Sequence, residues 1–331
     1  MDKVADVTKP QDLDVFLAKH GWAEAHVSLL AADASFRRYF RATDGERQAV
    51  IMDAPPPHED PRPFINVAEY LSANGFRAPA IIGTDLARGL VILEDFGDIR
   101  MREYLDENPS EESAIYRQAI EVLAKLARSP AADVPPYDMA AYMREVQLFT
   151  EWYVPAMGLS VKLEEFDFKW QLALSPIVDT KHRNTTVLRD YHAENIMLLT
   201  DGTQGIIDFQ DALLGHPAYD LVSLLQDARR DVSAELEAEM LEHYASVSNF
   251  DADFDAHYAL LGAQRNTKII GIFTRLWKRD GKARYLSFLS RMWTYLERDL
   301  AHPELAELKA WFDVNIPAEV RRKMPHAAPS L

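Results

Sequence analysis

The chain has no cysteine in 331 residues, which excludes disulfide cross-links, thiolate nucleophiles and thiolate-bound zinc together. It also has no run of about 18 apolar residues, the length a membrane-crossing helix needs. Its first residues, Met1-Asp2-Lys3-Val4-Ala5-Asp6, show no basic stretch leading into an apolar one. These absences lead to the expectation of a cytoplasmic protein without a membrane contact. Positive charge is scarce as well: 36 Lys plus Arg stand against 52 Asp plus Glu, a formal charge of −16. That balance argues against nucleic acid or anionic lipid as a partner, while leaving room for a small site with a few basic groups. No internal repeat or extended low-complexity segment interrupts the chain.

At this length two packed lobes are expected, because single cores usually stop growing near 250–300 residues. The chemistry concentrates in one stretch. Leu188-Arg189-Asp190-Tyr191-His192-Ala193-Glu194-Asn195 is followed, thirteen residues after Asn195, by Asp208 at the end of Gly205-Ile206-Ile207. Thr185-Thr186-Val187-Leu188, Ile196-Met197-Leu198-Leu199 and Gly205-Ile206-Ile207 read as short strands, with Asp201-Gly202 as a turn. Asp190 and Asn195 then bracket a tight loop, and a hairpin returns Asp208 beside them. Phosphoryl transfer from ATP needs these residue types: an acceptor to hold the attacking hydroxyl in line, and hard oxygen ligands for Mg²⁺ on the phosphates. Asp190 is the candidate acceptor, and Asn195 and Asp208 the candidate metal ligands. Any one of them alone is an ordinary polar turn residue; the joint pattern inside two apolar frames is what points to a kinase.

The same residues resemble a known family. The Asp190 to Asn195 spacing, with Asp208-Phe209-Gln210-Asp211-Ala212 and His216-Pro217-Ala218-Tyr219-Asp220-Leu221, resembles motifs of the aminoglycoside phosphotransferase and choline kinase-like superfamily, relatives of protein kinases. Within it, Ala34-Ser35-Phe36-Arg37-Arg38-Tyr39-Phe40, Met52-Asp53-Ala54-Pro55-Pro56 and Gln264-Arg265-Asn266 are similar to segments of bacterial cell-wall amino-sugar kinases. Those enzymes phosphorylate N-acetylmuramate and N-acetylglucosamine at the anomeric hydroxyl in peptidoglycan recycling. The resemblance spans about residues 10–325. It implies an α+β, bilobal, protein kinase-like fold with a small antiparallel-sheet N-lobe (1–96, with a leading helix and hinge) and a larger, mainly helical C-lobe (97–331, ending in a loose tail). ATP and Mg²⁺ are the implied cofactors and an amino sugar the small-molecule partner; no obligate protein partner is implied, and a monomer suffices.

Periodicity fills in this frame. Gln11–Lys19 reads as a short helix, 27–30 and 36–42 as a hairpin, 48–54 as a third strand, and 80–85 and 89–97 as the last two strands of the small lobe. The prolines between Pro55 and Pro63 break the chain before a helix from Phe64 to Asn74. Helices are expected over 101–108, 111–127, 137–152, 166–177, 219–226, 234–247, 254–273 and 284–300.

The resemblance assigns nucleotide roles by position. The first hairpin covers the phosphates, yet it has no glycine between Leu29 and Thr43. Ser35, and either Arg37 or Arg38, are expected to meet phosphate instead; neighbours on a strand face opposite sides, so at most one arginine does so directly. Met52 stands where the wider superfamily and protein kinases commonly carry a lysine, and Glu69 is the candidate carboxylate to orient a basic group such as Arg38. Glu94 and Phe96 are expected to read adenine through their backbone, with Val50 and Ile92 as apolar neighbours. Asp220 is expected to brace the catalytic loop. On the substrate side stand His192, Gln210, Asp211, Arg265 and Asn266. His192 is open between a sugar hydroxyl and a structural role, and Arg265, a cation on an apolar helix, calls for either an ion pair or a ligand carboxylate.

Other readings compete. An aminoglycoside kinase needs acidic groups converging on a polyamine, and a choline kinase needs an aromatic cage, for which Trp152, Trp277 and Trp293 are available. A protein kinase is disfavoured because no Ala-Pro-Glu segment follows Asp208. A catalytically inactive nucleotide-binding protein is suggested by Met52 and the missing glycines, and opposed by intact Asp190, Asn195 and Asp208.

Overall fold

The computed structural model describes residues 8–32, 36–178, 185–248 and 253–323. Alternating side chains between His26 and Glu94 build five antiparallel strands: β1 (His26–Ala32), β2 (Arg38–Asp44), β3 (Arg47–Asp53), β4 (Ile81–Asp85) and β5 (Leu90–Glu94), in the order β1-β2-β3-β5-β4. The helix α1 (Leu13–Lys19) covers one face, where Leu13, Phe16 and Leu17 share a core with Phe40, Ala42, Ile51, Leu90 and Ile92. After the proline-rich bend, α2 (Arg62–Ala73) starts with proline in its first turn, where a missing N–H is harmless, and buries Phe64, Val67, Ala68 and Leu71. The helix α3 (Met101–Glu107) buries Met101 and Leu105.

Four short strands follow later in the chain, β6 (Thr185–Val187), β7 (Ile196–Leu198), β8 (Gln204–Ile206) and β9 (Leu213–Gly215); β7 pairs with β8, and β6 with β9. Two compact units result, one of residues 1–109 with 194–211, the other of residues 110–193 with 212–331. In the first, the β7–β8 hairpin is stitched to the chain around the sheet by Ile206 N–H donating to the Arg77 carbonyl (2.8 Å) and Leu198 N–H to that of Ile99 (2.8 Å).

The second unit is helical: α4 (Glu112–Arg128), α5 (Met139–Leu148), the single turn α6 (Val154–Ala156), α7 (Leu163–Val178), α8 (Ala218–Leu225), α9 (Ala234–Val247), α10 (Phe254–Asp280), α11 (Leu289–Leu300), α12 (Ala306–Asn315) and the short α13 (Ala318–Arg321). The small antiparallel sheet and the helical second unit are the bilobal, kinase-like architecture expected from the sequence. An aromatic cluster of Phe149, Phe166, Trp170, Trp293 and Phe312 forms part of its core. Trp293 also donates to the Tyr153 hydroxyl at 3.1 Å, so this ring is spent on packing. The helix expected over 254–273 runs seven residues further, until Gly281 at φ 70° provides the left-handed stop. The helix α12 was not foreseen: it is short, bounded by Pro303 and Pro317, and its apolar signal reduces to Leu308, Trp311 and Phe312. The expected loose tail falls on 324–331, outside the described residues.

The 27-residue α10 is the spine of this unit. Gly271 lets it approach the end of α5 closely, since a Cβ there would lie 2.4 Å from the Leu148 carbonyl carbon. Backbone cannot step aside as a flexible side chain can. Gly271→Ala is therefore expected to lower stability by about 1–3 kcal/mol, measured as a shift in the denaturant unfolding midpoint at unchanged slope.

Candidate active site

In the first unit a cavity of about 620 Å³ opens along the segment after β5, lined by Val50, Leu93, Glu94, Asp95, Phe96, Asn195 and Asp208 among others. That volume falls in the ordinary range for small-ligand pockets, about 300–1,000 Å³. The pairing of β3 with β5 decides which apolar residues face it: Val50 sits opposite Leu93, and Ile51 opposite Ile92. Val50 and Leu93 line the cavity, whereas Ile92 is fully buried in the core under α1. The expectation for Ile92 is thus corrected to Leu93, one residue on and hence on the other face.

Charge-assisted hydrogen bonds fix the segment that follows. Arg41 reaches from β2 with Nε to Asp95 Oδ2 (2.6 Å) and Nη2 to Asp95 Oδ1 (3.0 Å), and contacts Asp98 through Nη1 (3.0 Å) and Nη2 (2.9 Å). Arg77 holds Glu94 through two bonds, at 2.8 and 3.2 Å, and lies over the Phe96 ring at 5.0 Å. Phe96 in turn covers Gly205, where any Cβ would lie 2.6 Å from the ring. The Phe96 N–H has no protein partner among the described residues. Nothing in the sequence marked Arg41 or Arg77, whose partners lie 54–57 and 17 residues away.

On the cavity wall Asn195 Nδ2 donates to Asp208 Oδ2 at 3.3 Å, and Ile207 N–H to the Asn195 carbonyl at 3.0 Å. Asp208 has φ 62°, the left-handed region that disfavours most residues but that Asp tolerates better. Gln210 Nε2 holds its other oxygen, Oδ1, at 2.9 Å and also reaches Asp211, which is exposed, at 3.4 Å. A carboxylate and a carboxamide are hard oxygen donors, and turning the Asn195 amide presents Oδ1 in place of Nδ2. Among the described residues no three His, Cys, Asp or Glu converge as a complete cage. Two protein donors suit Mg²⁺, which keeps water and nucleotide oxygens for the rest of its shell.

The basic residues expected at phosphate are engaged elsewhere. Arg37 is buried and bonded to Glu59 at 3.2 Å. Arg38 sits opposite Asp53 across β2–β3 and donates to its Oδ2 through Nε (3.0 Å) and Nη2 (2.6 Å). The carboxylate on Arg38 is therefore Asp53, and Glu69 is exposed on α2. Met52 is fully buried, and neither arginine lines the cavity. Ser35 lies outside the described residues.

The second unit carries the loop with Asp190. Asp220, at the start of α8, accepts from the N–H groups of Leu188 (2.7 Å) and Arg189 (2.8 Å), one on each oxygen. This holds Arg189 at φ 71°, a conformation costing a non-glycine residue roughly 1–3 kcal/mol unless its surroundings impose it. Burial pushes the Asp220 carboxyl up, to about 7, against the pull of those two donors and of Arg265. The Arg189 guanidinium ends on Glu145, which also receives Lys268 Nζ (2.9 Å), Gln264 Nε2 (3.0 Å) and the Tyr137 hydroxyl. Despite its burial, Glu145 is held down at about 2 by Lys268 and Arg189.

Asp190 itself keeps 42% of its side chain exposed. Burial of its surroundings works against ionisation, but Lys268, Arg265, His192 and Arg189 outweigh it and hold the carboxyl below its usual range. Arg265, 6% exposed in its side chain, places Nη2 3.9 Å from Asp190 Oδ1 and 2.7 Å from Ser223 Oγ. Of the two explanations for this buried cation, the structure contains the ion pair. His192 is buried with Nε2 3.3 Å from Arg229 Nη1, and burial lowers its pKa. Asn266 is fully buried: its Nδ2 donates to Gln226 Oε1 (2.6 Å) and Asp299 Oδ2 (3.0 Å). The substrate role expected of Asn266 is corrected to a core one, because successive helical residues point about 100° apart.

A five-stranded antiparallel sheet with a nucleotide-sized cavity, an Asn–Asp pair on its wall and a braced, half-exposed Asp define a kinase-type phosphotransferase scaffold. The chain belongs to the phosphotransferase enzyme family, whose profile matches residues 26–260. It is 37% identical to the N-acetylmuramate/N-acetylglucosamine kinase of Caulobacter vibrioides, covering 93% of this chain and 96% of that protein. It is 38% identical to the protein of that name from Pseudomonas aeruginosa, covering 89% and 90%. Among solved structures it is similar in fold to choline kinase LicA from Streptococcus pneumoniae (TM-score 0.62, 13% identity, 88% of this chain and 98% of that one). The ADP-bound aminoglycoside phosphotransferase APH(2'')-Ib is also similar (TM-score 0.59, 15% identity, 87% and 99%).

Glu145 offers a test of the bracing. Glu145→Gln leaves Arg189 and Lys268 buried without their counter-charge and is expected to cost about 3–5 kcal/mol at pH 7. Because the folded-state carboxyl titrates near 2 and the ordinary one near 4.5, the stabilisation is complete above the ordinary value and is lost as pH falls through that interval. Denaturation midpoints of both proteins at pH 7, 4 and 3 should converge toward the acid end.

Proposed function

We propose that this phosphotransferase moves the terminal phosphoryl group of ATP to the anomeric hydroxyl of N-acetylmuramate, N-acetylglucosamine or both, as a cytoplasmic step of peptidoglycan recycling. The observation that carries the reading is the meeting of Asn195 and Asp208, 3.3 Å apart, on the wall of the cavity edged by Glu94 and Phe96. Adenine would lie between Val50 and Leu93 and accept from the Phe96 N–H. Asn195 and Asp208 would hold Mg²⁺, which when bound neutralises charge on the phosphate oxygens. Asp190 would accept a hydrogen bond from the sugar hydroxyl and keep it in line. In phosphoryl transfer that orientation matters more than early proton removal, since the transition state is loose. An anomeric hydroxyl is also more acidic than an ordinary alcohol, so a carboxylate of low basicity suffices. The two relatives named above, alike over nearly the whole chain, support an amino-sugar acceptor.

A panel of N-acetylmuramate, N-acetylglucosamine, glucose, kanamycin and choline with ATP and Mg²⁺ tests the acceptor. Turnover is expected on the two amino sugars, with a C1 phosphate by phosphorus NMR; efficient kanamycin phosphorylation with no sugar turnover would refute the assignment. Chelation by EDTA should abolish activity until Mg²⁺ is restored. Asp190→Asn should fold normally and lose about 10²–10⁴-fold in kcat, and Asp208→Asn should lose turnover with little change in unfolding midpoint.

A further inference from the structure

We propose that Arg265 is a positioning residue for Asp190: its buried guanidinium, clamped by Ser223, fixes the direction in which the acceptor carboxylate faces and keeps it anionic. The inference rests on the reading of Asp190 as the group that orients the acceptor hydroxyl. Three observations carry it. Arg265 is 5% exposed and projects from the middle of α10, so it has no freedom to follow a mobile partner. Its Nη2 stands 2.7 Å from Ser223 Oγ and 3.9 Å from Asp190 Oδ1, so one nitrogen faces both groups. Ser223 Oγ in turn donates to the Arg189 carbonyl at 3.2 Å, which ties the cation to the residue just before Asp190.

The other carboxylates near this charge are already held: Asp220 takes the Leu188 and Arg189 N–H groups, and Asp227 takes those of Ala193 (3.3 Å) and Arg229 (2.8 Å). Glu145 is neutralised by Lys268 and Arg189. Tyr219, which lies 5.6 Å under the Arg265 guanidinium, offers a ring face and no negative charge. Asp190 is the half-exposed carboxylate in front of it; Lys268, His192 and Arg189 also favour its ionised form, and the like-charged Asp220 opposes them. A fixed cation beside an acceptor carboxylate lowers its basicity and restricts its rotamer. Such a site discriminates in favour of hydroxyls acidic enough to react without a strong base, which is the class that hemiacetal sugars belong to.

The competing role for a buried arginine here is to bind a carboxylate on the substrate. The two sugars separate these roles, because N-acetylmuramate carries a lactyl carboxylate and N-acetylglucosamine has none. Steady-state kinetics of Arg265→Met on both sugars are expected to show kcat reduced about 10- to 100-fold on each, the range for losing a group that orients a reactive one, with KM changed little. The acidic limb of the kcat profile should move toward neutral pH, since the carboxyl then protonates more readily, and Arg265→Lys should recover part of the loss. A loss confined to N-acetylmuramate, seen as a raised KM, would overturn the proposal, as would an unaltered kcat. Should Arg265→Met lose its helical circular dichroism, Ser223→Ala carries the test: a smaller fall in kcat on both sugars with the acidic limb displaced in the same direction supports the proposal, and an unmoved profile sinks it. Wild-type inactivity on both sugars would instead remove the sugar-kinase reading, an outcome visible before any variant is compared.

Discussion

A single buried carboxylate, Asp220, decides the conformation of the loop that carries Asp190. By taking the N–H groups of Leu188 and Arg189 on separate oxygens it holds a turn that Arg189 would not adopt alone. The side chain of Arg189 then has only one direction to go, inward to Glu145, and Glu145 collects Lys268 and Gln264 from α10. One strained backbone position thereby links α5, α8 and α10. Burying so many charged groups is unfavourable unless each finds a partner, and here each does. The network converges on Glu145, and Asp190 follows directly on the residue that it anchors.

In the first unit the same principle works through arginine. Arg41 and Arg77 lie behind the cavity wall and tie its carboxylates, Asp95, Asp98 and Glu94, to the sheet. The wall is thus fixed by the charges that also neutralise it. Gly205 completes the arrangement by letting the Phe96 ring rest on β8, so that the segment after Glu94 packs on the hairpin that joins Asn195 to Asp208.

How much of this was legible follows from what each pattern encodes. The strands around Asp190, Asn195 and Asp208 were readable because short apolar runs and an Asp-Gly turn frame them, and the β7–β8 hairpin pairs as that frame implies. The facing of Ile92 was not, because Leu90 to Leu93 are buried without a break and such a run carries no alternation to tell one face from the other. Arg265 and Asn266 presented the same difficulty on a helix: residues 258–271 of α10 are all buried, so no polar stripe marks a side. Glu145 and Lys268 escaped notice for a different reason. Their partnership spans 123 residues, and nothing local distinguishes a buried Glu or Lys from the solvated ones that are far commoner.

The distribution of positive charge bears on how a polyanion can be accommodated. Among the described residues that line the cavity, Arg100 is the only cation, set against Glu94, Asp95, Asp98, Glu103 and Asp208. The arginines behind the wall are committed to three of those carboxylates, Arg37 and Arg38 face Glu59 and Asp53, and Met52 brings no charge. A nucleotide triphosphate entering this space finds too little fixed positive charge to offset its own. On the proposed reading, divalent metal carried in with the nucleotide and received by Asn195 and Asp208 would supply the compensation, and a lysine-free third strand would be tolerable on that account.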